Sequence, residues 1–204
     1  MKRDWRAEVG QTQLPLEKLA IGSWVWGTDY YHGRFSLLDL PRQAAELGFQ
    51  QIECNDFILP PPRLSRVTRP FYSLLPYANP DLWRYRSATL RTLKNELETH
   101  QKTCLCWAMN TDFAQPVLGQ LASRLYWWWG ARAVELLQPR MVRIIAGGDQ
   151  KTVLNNHIVK RMAACVRYFL QRPSVQHVVL ENHWGLSSTI DQHLQLYAQV
   201  NDQL

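Results

Sequence analysis

Glycine-rich phosphate loops are missing from this sequence. No G-x-G-x-x-G follows the first strand-like run and no G-x-x-x-x-G-K-[ST] occurs anywhere, which counts against dinucleotide-binding and P-loop architectures and against a nucleotide cofactor. Cysteine is scarce: Cys54, Cys104, Cys106 and Cys165 are the only four, all in apolar stretches. Cys104 and Cys106 form a C-x-C with no second pair at zinc-site spacing, so free core thiols in a reducing compartment are expected. The opening MKRDWRAEVG lacks the apolar core of a signal peptide, and no apolar run approaches the roughly 18 residues of a membrane span. A cytoplasmic chain with no membrane partner is expected. Runs of one charge are also absent. The 23 Lys and Arg exceed the 17 Asp and Glu by six, which admits an anionic partner, whether sugar phosphate, nucleotide or nucleic acid, but their scatter argues against an extended nucleic-acid footprint.

What is present is regular alternation. The 204 residues, 46% of them hydrophobic, suffice for one core, read as a single domain over 1–204. Strand-like runs are Leu19 to Gly27, Phe49 to Asp56, Thr103 to Asn110, Met141 to Gly148 and VQHVVLENHW. Between them lie helical patterns: SLLDLPRQAAELG ending at Gly48, NPDLWRYRSATLRTLKNELETH, Gln115 to Leu137 with Leu118, Leu121 and Leu125 in one stripe, and a helix with Leu154, Ile158, Met162, Cys165 and Phe169 on one face. Ser187 or Ser188 is the expected N-cap of a last helix with Ile190, Leu194, Tyr197 and Ala198 inward. Five strand–helix units imply an α/β fold with a parallel sheet, mostly apolar because both faces are covered. Part of a (β/α)8 barrel satisfies this pattern, and its active site gathers at the C-terminal strand ends.

Those ends are polar or aromatic in all five units. They carry Trp24, Trp26, Thr28 and Asp29; Glu53, Asn55 and Asp56; Trp107, Asn110 and Asp112; Arg143 and Gly147; Glu181 and His183. Any one alone reads as a cap or turn residue. Together they describe a polar pocket with aromatic walls, suited to a polyol whose C–H faces stack on indoles. Residues two apart on a strand share a face, so Glu181 with His183, and Trp24 with Trp26, are expected to point together. The Pro-rich loop from Phe57 to about Asn79, with Arg63, Arg66 and Arg69, is long enough to be either a lid that holds a phosphate or a solvated excursion. Trp127, Trp128 and Trp129 fan around a helix axis at about 100° each and so form packing surface, not one stacking face.

The segments AAELGFQQIECND, NTDFAQP, GARAVELLQPRMVRIIAGG and VVLENHWGLSS resemble, in order and spacing, the xylose isomerase-like TIM barrels of the sugar phosphate isomerase/epimerase group, from about Leu19 onward. The resemblance implies a divalent metal (Mn²⁺, Mg²⁺ or Co²⁺) at the barrel mouth with Glu181 as its first carboxylate ligand. It implies proton or hydride transfer beside a sugar or sugar-phosphate carbonyl, with Glu181 and His183 as catalytic candidates. Trp24, Trp26, Glu53, Trp107, Asn110, Arg143 and Trp184 are then the candidate substrate-binding residues. The family places its other ligands, an Asp, a His and a second Glu, on strands six to eight, which lie beyond the five units here. An incomplete copy, a partial barrel completed by another chain or a second copy through open sheet edges, and a non-catalytic binding module all follow as expectations. An endonuclease IV-like repair enzyme uses the same fold but needs several histidines at strand ends, where His183 stands alone.

Overall fold

The computed structural model describes residues 18–60, 85–115 and 117–204. Five strands form one sheet in the order of the chain: β1 (Ala20–Gly22), β2 (Gln51–Asn55), β3 (Thr103–Ala108), β4 (Met141–Ile145) and β5 (His177–Glu181). All four neighbouring pairs are parallel. The helices are α1 (Gly27–Tyr31), α2 (Leu40–Glu46), α3 (Ser87–Thr99), α4 (Val117–Leu137), α5 (Asn156–Leu170) and α6 (Ile190–Asn201). None of them is long and apolar enough to cross a membrane.

The core lies between the sheet and its helices. Ile52, Cys54, Trp107, Val142 and Ile144 pack with Leu90, Leu93 and Leu97 of α3 and with Ile158, Met162, Cys165 and Phe169 of α5. The expected face of α5 is therefore the buried one. All four cysteines are free and buried, as expected of core thiols. Gly48 takes φ +83° just past α2, the left-handed position that glycine fills without a Cβ penalty.

Four local readings change. The first strand stops at Gly22, and Ser23–Trp26 coil into a 3-10 turn leading into α1. Buried Ser23 explains the break: its Oγ accepts the Asn55 amide at 2.8 Å, doing for β2 what a strand carbonyl would do. In α4, Leu121 and Leu125 of the expected stripe are exposed, while Tyr126, Trp127, Ala131, Ala133 and Val134 face the core. In α6 the inward residues are Leu196 and Val200; Ile190, Leu194 and Tyr197 are exposed. The N-cap of α6 is Thr189, not Ser187 or Ser188, in a reciprocal capping box with Gln192. The Arg63, Arg66 and Arg69 segment and the NPDLWR start of the second expected helix lie outside the described residues.

Two glycine positions fasten the loops after β4 and β5 to each other. Leu186 donates its amide to the Gly147 carbonyl at 3.1 Å, and a Cβ on Gly185, at φ +76°, would sit 2.3 Å from that same carbonyl oxygen. Gly185→Ala is expected to lose at least the roughly 1–2 kcal/mol of a left-handed non-glycine residue, plus the cost of separating the loops. Urea unfolding checks this; a midpoint equal to that of the parent would contradict it.

Candidate functional site

A register irregularity decides which side chains reach the sheet's C-terminal mouth. Ile52 pairs with Cys104, but Glu53 pairs with Cys106, so β3 carries one extra residue between them. Without that bulge Trp107 would stand opposite Asn55, on the face of Glu53. With it, Trp107 aligns with Cys54 and turns to the helix layer, where it is fully buried and donates Nε1–H to the Tyr85 hydroxyl at 3.2 Å. Trp107 is thus a core residue, contrary to its expected place in a pocket wall.

On the other face, Arg143 of β4 stands between two carboxylates. Its Nη1 lies 2.7 Å from Glu181 Oε2 on β5 and its Nη2 3.3 Å from Glu53 Oε1 on β2. The three side chains are only 17%, 25% and 27% exposed for Arg143, Glu181 and Glu53. Glu181 Oε2 has no aligned hydrogen-bond donor despite the short approach, so that contact is ionic, not a directed hydrogen bond. Gly22, at the end of β1, borders the cluster: a Cβ there would touch Glu53 Oε1 at 3.5 Å, an ordinary contact distance.

Two carboxylates share one guanidinium, so charge is not balanced. Burial raises the Glu53 carboxyl above its ordinary value of 4.5, Arg143 pulls it down less strongly, and the Glu181 charge raises it further. Glu53 therefore holds a proton to higher pH than a surface glutamate. Cys106, beside it, is pushed up by burial first and then by the Glu53 charge, which keeps it a neutral thiol and a poor nucleophile.

The remaining expected residues fall into three groups. His183 lies beyond the end of β5, so strand alternation no longer aligns it with Glu181. Its amide donates to Ser187 Oγ at 3.3 Å, Ser187 Oγ donates to the Glu181 carbonyl at 3.0 Å, and its ring centroid sits 3.7 Å from that of Trp184. His183 Nδ1 is buried without a hydrogen-bond partner, and Trp184 is 63% exposed. Trp24 and Trp26 share no face in the 3-10 turn. Trp24, 48% exposed, meets Tyr31 and Phe57 edge-on, whereas Trp26 stacks on Phe35 at 5.1 Å. Asn110 donates its amide to Tyr126 Oη at 2.7 Å and to Asp56 Oδ1 at 3.3 Å.

Asp56, expected as a cap or turn residue or as part of the polar mouth, has a different part. It is fully buried, accepts from Tyr85 Oη at 2.5 Å and from Tyr126 Oη, and so ties the end of β2 to β3 and α4. Its only signal in the sequence is a carboxylate closing an apolar strand. Ser23 and Ser187 carry no signal that separates them from ordinary turn serines.

A divalent metal requires several oxygen or nitrogen ligands. Among the described residues no group of three or more His, Cys, Asp or Glu side chains could hold one. The one expected ligand, Glu181, already faces the Arg143 cation. These residues alone do not fit a catalytic metal.

No protein-family model and no curated protein sequence matches the chain. Among solved structures, it is similar to the probable 3-DHS dehydratase AsbF of Bacillus anthracis, involved in petrobactin synthesis, with TM-score 0.58 and 17% identity. The match covers 90% of this chain and 59% of AsbF, so the chain spans less than two thirds of that protein's length. Over five successive parallel strand–helix units, the chain shares the α/β fold of that structure, as part of a TIM-type barrel.

Proposed function

We propose that this chain carries the half-site of a sugar or sugar-phosphate isomerase or epimerase, with Glu53 moving the proton beside the carbonyl. The observation that carries the proposal is the Glu53–Arg143–Glu181 cluster at the strand ends. A carboxyl raised by burial accepts a proton more readily than a surface glutamate and can return it to a neighbouring carbon. Arg143 stands beside it with donors in a fixed fork, suited to the negative charge that develops on the carbonyl oxygen. Glu181 orients that fork, and the exposed rings of Trp24 and Trp184 offer surfaces for the C–H faces of a sugar. Dehydration of a hydroxy-carbonyl compound starts with the same proton removal as isomerisation, so likeness to a probable dehydratase accords with this chemistry. The expected divalent metal enters no step here. It would need ligands from outside the described residues, supplied by the rest of a longer protein, a partner chain or a second copy.

The test is exchange of a substrate C–H proton with D₂O, followed by NMR over a panel of aldose and ketose phosphates with and without Mn²⁺. Exchange that falls about 100-fold in Glu53→Gln is expected, the low end for loss of a general acid–base. Glutamine keeps the shape of a protonated glutamate, so folding is retained. No exchange on any sugar phosphate, or equal exchange in the variant, would sink the reading. The first of those results favours a non-catalytic binding module, which the Arg143–Glu181 closure also accommodates.

A further inference from the structure

A polar cavity of about 250 Å³ opens in the helix layer, on the other side of the sheet from Arg143. It lies between α4 and α5 beside the loop that follows β3. Its floor is aromatic, with buried Phe113 and Trp127 at 6.0 Å between ring centroids. Its rim is cationic. Arg124 comes from α4, and His157, Lys160 and Arg161 fall at i, i+3 and i+4 on one face of α5.

The one acid present is already satisfied. Asp112 Oδ1 accepts the amides of Ala114 and Gly148 at 2.9 and 3.0 Å, and Oδ2 accepts Gln115 Nε2 at 2.8 Å. Arg161 is held in place by two carbonyls, with Nη1 on Gln115 at 2.9 Å and Nε on His157 at 3.2 Å. Carbonyls fix its position without neutralising it. Among the described residues neither Arg124 nor Lys160 has an ion-pair partner. Three permanent cations therefore face one saturated carboxylate.

We propose that this cavity is a binding site for a phosphate group, free or carried on a small ester. The volume is below the roughly 300–1,000 Å³ of sites for drug-sized ligands, so a compact anion fits better than a peptide or a nucleic acid. Two or three cations around one anion is the arrangement that recognises phosphate through charge-assisted hydrogen bonds. The site is independent of the Glu53 cluster and of the reaction proposed for it.

The experiment is calorimetric titration of the whole chain in chloride buffer with inorganic phosphate, then with a sugar phosphate. Saturable one-to-one binding is expected, weakening about tenfold in each of Lys160→Ala and Arg124→Ala and further in the double variant. Both side chains are exposed, so the variants keep the fold, and an unchanged thermal midpoint without ligand checks it. Equal affinity for the two ligands means that the phosphate alone is held; tighter binding of the ester means that the aromatic floor takes the rest. Absence of saturable binding, or affinity unchanged in the double variant, would overturn the proposal.

Discussion

Arg143→Met is expected to lower stability by about 3 kcal/mol, the lower end of the range for breaking a buried ion pair, because a quarter of each carboxylate still meets water. Methionine keeps much of the length and none of the charge, so Glu53 and Glu181 are left facing each other. The loss should depend on pH. Glu53 is raised above 4.5 in the folded protein, so the native state holds that proton more tightly than the unfolded chain. Its stabilising contribution is complete below 4.5 and disappears as pH rises through the folded value. In the variant the one influence that lowers Glu53 is gone, the folded value climbs, and the decline extends to higher pH. Urea unfolding at pH 4 and pH 8 should therefore show the smaller deficit at pH 4. Equal deficits would mean that Arg143 contributes through packing, not through its charge.

Asp56→Ala should cost more, about 3–5 kcal/mol, since the Tyr85 and Tyr126 hydroxyls lose a shared acceptor at once inside the core. The chain of donors runs from Trp107 Nε1 to Tyr85 Oη to Asp56, and from the Asn110 amide to Tyr126 Oη to Asp56. Its two branches begin on β3 and just after it, and end on the carboxylate that follows β2. Tyr85→Phe removes a donor to Asp56 and leaves the buried Trp107 Nε1–H without its acceptor, so it should cost about 2–3 kcal/mol. After Tyr126→Phe the Asn110 amide still has Asp56 Oδ1, for a cost of about 1 kcal/mol. Thermal and urea unfolding of the three variants decide the matter. A smaller loss for Asp56→Ala than for Tyr126→Phe would show that the carboxylate is not the centre of this network.

Strand positions and the parallel order were legible because β2 to β4 are covered by helices and so read as apolar runs. So was the buried face of α5, whose apolar residues recur at one helical period. The faces of β3 were not legible. A bulge made of ordinary residues, with no glycine to mark it, reverses the parity of every side chain after Leu105 and carries Trp107 away from the mouth. Helix α6 failed for a different reason. It is apolar on two sides, and Leu196 with Val200 won the interior over Ile190, Leu194 and Tyr197. At the mouth, residue types showed a polar end, but not that Arg143 would hold Glu53 and Glu181 together, because those residues stand about 40 to 130 positions apart.

The sheet order β1-β2-β3-β4-β5 also bears on how the chain is made. Among the described strands no later one inserts between two earlier ones, so each strand emerging from the ribosome finds its template already laid down. The nascent protein can zip forward one unit at a time without undoing any pairing, which keeps each loop closure short and spares it the traps of sheets whose middle strands arrive last.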